Sequence, residues 1–105
     1  MEKALVDYIN AQRKEAEEFN KIPGNWMSMM PEATDTTYWK QRVPSGTLRE
    51  FQRSTLEETA YYIAADAMSK SYARFISSQF SEMSDDDLNR IIDEMAKLIK
   101  FDEVA

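Results

Sequence analysis

The residues best spaced for chemistry are the acids that open the C-terminal quarter. Asp85-x-Asp87-x-Asn89 matches the first three ligand positions of a calcium-binding EF-hand loop. The sixth position of such a loop is a turn glycine and the twelfth a bidentate glutamate. Here those places hold Arg90 and Ala96, and an apolar stripe already begins at Leu88. Helix capping therefore accounts for these acids better than a metal does. Glu15 with Glu18, or Glu57 with Glu58, invites a carboxylate-bridged di-metal site. Bundle sites of that kind use Glu-x-x-His, and the chain has no histidine. Without histidine it also lacks the commonest general base near neutral pH, and without cysteine it has neither thiolate ligands nor disulfides. No phosphate-binding glycine loop, nucleophile elbow or Ser-x-x-Lys pattern occurs. The expectation is a protein with no catalytic residue, no metal and no cofactor.

What remains is chemistry of recognition. Trp26, Met27, Met29 and Met30 place a large aromatic and three adaptable thioethers in a segment rich in helix breakers. Tyr38, Trp39, Lys40 and Arg42 follow, with Arg49, Phe51 and Arg53 just beyond. Between Tyr38 and Arg53 there are four bases against a single acid, Glu50. Trp, Tyr and Arg dominate binding hot spots. Trp26, Met29, Tyr38, Trp39, Arg42, Arg49 and Arg53 are thus the candidate partner-binding residues. A core this small also needs lids, so at least one tryptophan is expected to fold inward. Asp66, inside the apolar run Ala60 to Met68, is either a surface residue pairing with a base such as Lys70 or a buried polar anchor.

The formal net charge is −6, unevenly placed. Residues 81–105 hold eight acids and three bases, a balance of −5, which leaves −1 for the first 80. A general basic surface for nucleic acid is not expected. Asp85, Asp86, Asp93 and Glu94 form a candidate acidic face for a basic partner, with a solvated helix face as the plainer explanation.

The elements that must position these residues read as helices. Leu5, Tyr8, Ile9, Gln12, Ala16 and Phe19 make one stripe over residues 2–19, ended by Asn20 and Pro23-Gly24. All five glycines and prolines lie between Pro23 and Gly46. Within that region Asp35 can cap a short helix over 36–42, and Pro44-Ser45-Gly46 forces a turn. Thr47 and Glu50 fit a reciprocal capping box opening the next helix. From Leu48 to Phe80 nothing breaks the helix, yet at 1.5 Å per residue it would run roughly 50 Å. A break near Ser69-Lys70-Ser71 is the expected resolution, and self-association of a projecting helix the other. Ala60 to Met68 is apolar on nearly all sides and predicts the most enclosed element. Ser84 as N-cap, Asp87 three residues on and Met83 as a staple against Leu88 start the last helix. Leu88, Ile91, Ile92, Met95 and Ile99 form its stripe, with Lys97 and Lys100 at its negative end.

The sequence thus predicts one all-α domain over residues 1–105, a small three- or four-helix bundle with an irregular crossover around 20–46. MEKALVDYIN does not read as a secretory signal and no segment nears about 20 apolar residues, so a cytoplasmic protein off the membrane is expected. The functional expectation is a non-enzymatic protein-binding module, a stoichiometric inhibitor or adaptor of a larger intracellular enzyme or complex. In its length, acidity, lack of Cys and His, and irregular loop, the chain resembles small phage-encoded proteins that bind and disable a host enzyme: anti-restriction, anti-CRISPR or polymerase-binding factors. The alternatives are an assembly component acting through self-association, a homodimer for instance, and an acidic mimic of nucleic acid.

Overall fold

Side chains decide where most of the helices start. In the computed structural model, which describes the backbone of residues 1–104 and the side chains of residues 1–100, the chain is all-helical, with no strand among the described residues. The elements are α1 (Lys3–Asn20), α2 (Thr36–Arg42), α3 (Leu48–Ala67), α4 (Lys70–Ser77), a single 3₁₀ turn (Phe80–Glu82) and α5 (Asp85–Val104). Among the described residues there are five helices where a three- or four-helix bundle was expected, Asp35 starting a short one and Ser69 splitting the long one. The Asp35 carboxylate accepts the Tyr38 amide at 3.2 Å, and the Ser69 hydroxyl accepts the Tyr72 amide at 3.0 Å. Each satisfies an N–H that the first helical turn leaves without a partner. Packing divides the chain into two compact units, Met1–Phe51 and Gln52–Ala105.

In the first unit, α1 lays Leu5 and Ile9 against Trp39, Val43 and Phe51. Trp39 meets Phe51 edge-on at 5.7 Å between centroids, and Tyr8 meets Phe51 at the same distance. Aromatic pairs of this kind add about 0.5–1.5 kcal/mol each beyond the area they bury. Gly46 turns the chain with φ +68°, and its carbonyl accepts the Glu2 amide at 2.7 Å. A Cβ there would sit 3.2 Å from Met1 Cα, so glycine is required for both reasons. The Thr47–Glu50 box closes only halfway. Thr47 Oγ1 accepts the Glu50 amide at 3.2 Å, but the Glu50 carboxylate reaches past Thr47 to the Ser45 amide at 2.9 Å, bracing the turn instead.

Alanines set the spacing of the second unit. Ala60 and Ala64 of α3 and Ala73 of α4 are fully buried with Ile76, Phe80, Leu88 and Met95. Small side chains let neighbouring backbones approach closely, and between Ala60 and Met68 only Ala60 and Ala64 are buried. The expectation that Ala60 to Met68 is buried all round is therefore corrected: Tyr62, Asp66 and Met68 are exposed, and Asp66 is a surface residue rather than a buried anchor. At the start of α5 the Ser84 amide donates to Asp87 at 3.0 Å and the Asp87 amide to Ser84 Oγ at 3.1 Å, the reciprocal box in full. Met83 packs in the same cluster as Leu88. Because α5 continues to Val104, Lys97 and Lys100 lie within it rather than in its last turn. Arg53 ties this unit together. Its guanidinium donates to the carbonyls of Phe80 and Met83 at 2.6 and 2.7 Å and to Asp85 at 2.8 Å, with Glu57 at 3.4 Å.

Candidate docking surface

Beyond α1 the chain turns at Pro23-Gly24 and comes back along the helix that it has just left. Two side chains of α1 hold the returning segment, a strap along the helix. The Asn20 amide group pairs in both directions with the backbone of Met27, accepting its N–H at 2.6 Å and donating to its carbonyl at 3.0 Å. Seven residues earlier, the Arg13 guanidinium donates to the carbonyl of Met30 and reaches Glu32 at 3.5 Å. The dimensions agree: seven helical residues rise about 10.5 Å, and three extended residues from Met27 to Met30 span about 10 Å. Ala16 lies on the same side of the helix between the two pins and is only 2% exposed. Farther on, the Trp39 indole N–H donates to the Glu32 carbonyl at 2.9 Å, fixing the end of the strap to the core.

The strap displays apolar side chains instead of hiding them. Trp26 is 80% exposed and Ile22 53%, and Met27, Met29 and Phe19 are exposed beside them in sequence. Phe19 had been expected on the buried stripe of α1. It sits about 100° around the helix from Asn20, at the last turn, beyond the partners that cover Leu5 and Ile9. Local turn bonds close the segment, from the Ile22 amide to the Phe19 carbonyl and from the Asn25 amide to the Ile22 carbonyl. Trp26 and Met29 thus stand exposed on one backbone-fixed segment. Composition picks them out, but Phe19, Ile22 and the two pins were missed. The signal for the pins is the heptad spacing of Arg13 and Asn20, whose polar side chains share a helix face with Ala16.

The other candidate residues have different surroundings. Trp39 is 3% exposed, the tryptophan that folds inward. Tyr38 is exposed on α2 and packs edge-on against Trp39 at 4.9 Å. Arg42 is half-buried, its guanidinium 5.3 Å from the centre of the Phe51 ring. Arg49 is exposed at the start of α3. Arg53 belongs to the second unit, where its donors are engaged by carbonyls and carboxylates of the same chain.

On α5, Asp86, Asp93 and Glu94 are exposed, whereas Asp85 is half-buried against Arg53. Arg90 and Lys97 fall between them on the same helical face, at i+4 and i+11 from Asp86. The face is consequently mixed in sign. Asp87 is committed to capping, and the Ser84 N–H, with the Ser84 hydroxyl second, holds its carboxyl below the usual aspartate value. Among the described residues no group of three or more acids is placed to hold a metal ion. An open cleft beside α2 is lined by Thr36, Trp39, Lys40, Val43, Pro44 and Ser45, with Lys40 its single ionisable side chain among the described residues. Tyr62 and Phe75 are exposed on α3 and α4, Tyr62 with its ring edge-on to Tyr61 at 5.3 Å. Among the described residues no helix is long and apolar enough to cross a membrane. Comparison with family models, curated proteins and solved structures finds no match to this chain.

Proposed function

We propose that the chain is a non-enzymatic protein-binding module acting in the cytoplasm, an inhibitor or adaptor that engages a larger enzyme or complex one to one. Small phage-encoded anti-defence proteins work in this manner. The observation that carries the reading is Trp26, four-fifths exposed on a strap whose backbone is pinned by Asn20, Arg13 and Trp39. Exposing a tryptophan leaves a large apolar area in water, at a cost that burial against a partner removes. Pinning the backbone beforehand reduces the ordering entropy that association must overcome. The strap therefore has both elements of a hot spot, an aromatic anchor and a fixed presentation.

The test is affinity capture with the wild-type chain, Trp26→Ala and Arg49→Glu side by side, read by quantitative mass spectrometry with melting curves for each variant. One partner should be recovered in stoichiometric amount by wild type and Arg49→Glu, and lost by Trp26→Ala without a fall in melting temperature. Loss with Arg49→Glu alone would move the interface to the basic edge of α2 and α3. Recovery of the bait alone, as a dimer by light scattering, would replace the reading with self-association.

A further inference from the structure

The cleft beside α2 sets an apolar floor against donors that the fold leaves unspent. Thr36, Trp39, Lys40 and Val43 line one wall, and at 3.6 residues per turn they fall within an arc of about 100° on α2 and its C-cap. The turn over 44–46 makes the facing wall, braced by the bond from the Glu2 amide to the Gly46 carbonyl. Trp39 and Val43 are 3% and 1% exposed and pack on Leu5 and Ile9, so the floor is backed by the core. The polar groups can be accounted for one by one. The Trp39 indole N–H is spent on the Glu32 carbonyl, and the Ser45 hydroxyl is shared with Thr47 at 2.8 Å. No carboxylate lines the cleft, and that of Glu50 is held on the Ser45 amide at 2.9 Å. The Lys40 ammonium and the Thr36 hydroxyl, four residues apart on the same face, have no partner among the described residues.

Unspent donors between apolar walls fit a ligand that brings its own acceptors and an apolar body. The cleft holds about 210 Å³. Sites for drug-sized ligands hold about 300–1,000 Å³, so the body here is limited to roughly one ring. We propose that the cleft binds a small carboxylate with an apolar body of that size. The carboxylate accepts from Lys40 and Thr36, a charge-assisted pairing that a neutral ligand cannot make. The body lies against Val43 and Pro44 over the edge of Trp39. A free organic acid and the last residue of a partner's chain carry this same chemistry. The site is separate from the strap and does not depend on it.

The probes are benzoate, benzamide as its neutral isostere, and a pentapeptide ending in phenylalanine, with a free or an amidated C-terminus. The readout is the set of backbone amide shifts at Lys40, Val43, Ser45 and Gly46 and the indole N–H shift of Trp39. Benzoate should move these resonances saturably, with a dissociation constant of about 1 mM or tighter that weakens as salt rises. Benzamide should bind at least about tenfold more weakly. Lys40→Met keeps the aliphatic stem and should bring benzoate down to the affinity of benzamide at an unchanged melting temperature. Lys70→Met, the same charge change in the second unit, should leave benzoate binding unaltered. Tighter binding of the free-ended peptide than of benzoate, lost on amidation, identifies the ligand as a chain end, and binding of benzoate alone identifies a free acid. The proposal is overturned if no probe gives a saturable shift, if benzamide binds as well as benzoate, or if the shifts lie away from the cleft. It is equally overturned if Lys70→Met costs as much as Lys40→Met.

Discussion

Replacing Asn20 with alanine removes the pin at the open end of the strap and nothing from the core. Two hydrogen bonds are lost, of 2.6 and 3.0 Å, both to the backbone of Met27 and both near water. Neutral hydrogen bonds contribute about 0.5–1.5 kcal/mol each, and exposed ones lie at the lower end. The pair is then worth about 1–1.5 kcal/mol toward keeping the strap closed. Because 1.4 kcal/mol is about a factor of ten in an equilibrium constant, the open population should rise roughly tenfold. Opening stops at Met30, where Arg13 and the Trp39–Glu32 bond still hold. The assay is amide hydrogen exchange, with the Met27 amide as reporter and the buried amide of Ala64 as control. Exchange at Met27 should accelerate about tenfold in Asn20→Ala, exchange at Ala64 should not change, and Trp26 fluorescence anisotropy should fall. An unchanged Met27 rate would refute the pinning, and acceleration at Ala64 would show that the variant acts on global stability.

Three further perturbations test other contacts. Ala16→Leu places a branched side chain under the strap and should lower the melting temperature of the first unit, with about 1–3 kcal/mol lost to overpacking, as measured by calorimetry. Arg53→Met keeps the aliphatic stem but takes the side-chain donor from the Met83 carbonyl and leaves the Phe80 carbonyl with the Met83 amide alone; chemical denaturation should show about 1–3 kcal/mol lost, whereas an exposed change such as Lys40→Met should be near neutral. For Asp87 the folded carboxyl titrates below its unfolded value, so its contribution is present above the unfolded pKa and is lost as pH falls through the folded one. The melting-temperature gap between wild type and Asp87→Asn should be widest near neutral pH and close below about pH 4; a gap independent of pH would contradict the carboxylate's role.

Short-range chemistry was legible before the structure. Asp35, Ser69 and the Ser84–Asp87 pair act on amides three residues away, and such geometry depends on little outside one turn. Glu50 shows where that reasoning stops, since the Ser45 amide competed successfully for its carboxylate. Burial was harder to read, because it depends on which face a neighbour covers. Tyr62 and Phe19 fit apolar helical patterns and are exposed, while Ala60, Ala64 and Ala73, weak signals one by one, make the floor of the second unit. Trp26 follows Pro23-Gly24 outside any helix and Trp39 lies in the short one, and their opposite fates follow from α2, which turns Trp39 toward Leu5 and Ile9. Arg53 was read as a contact residue from composition alone. Apart from Glu57 one turn on, its partners lie 27 to 32 residues away, and no local rule points to them.

The guanidinium of Arg53 also determines which peptide bonds a protease can cut. Trypsin must take the whole basic side chain into its specificity pocket, with the flanking backbone extended, and Arg53 is in a helix with its donors engaged on Phe80, Met83 and Asp85. Lys21 is the opposite case, an exposed side chain just past the end of α1, on the turn that starts the strap. A brief digestion of the folded chain should nick after Lys21 first and spare the bond after Arg53. The order of fragments then maps, without any label, which of the chain's bases are held by the fold and which are offered to the outside.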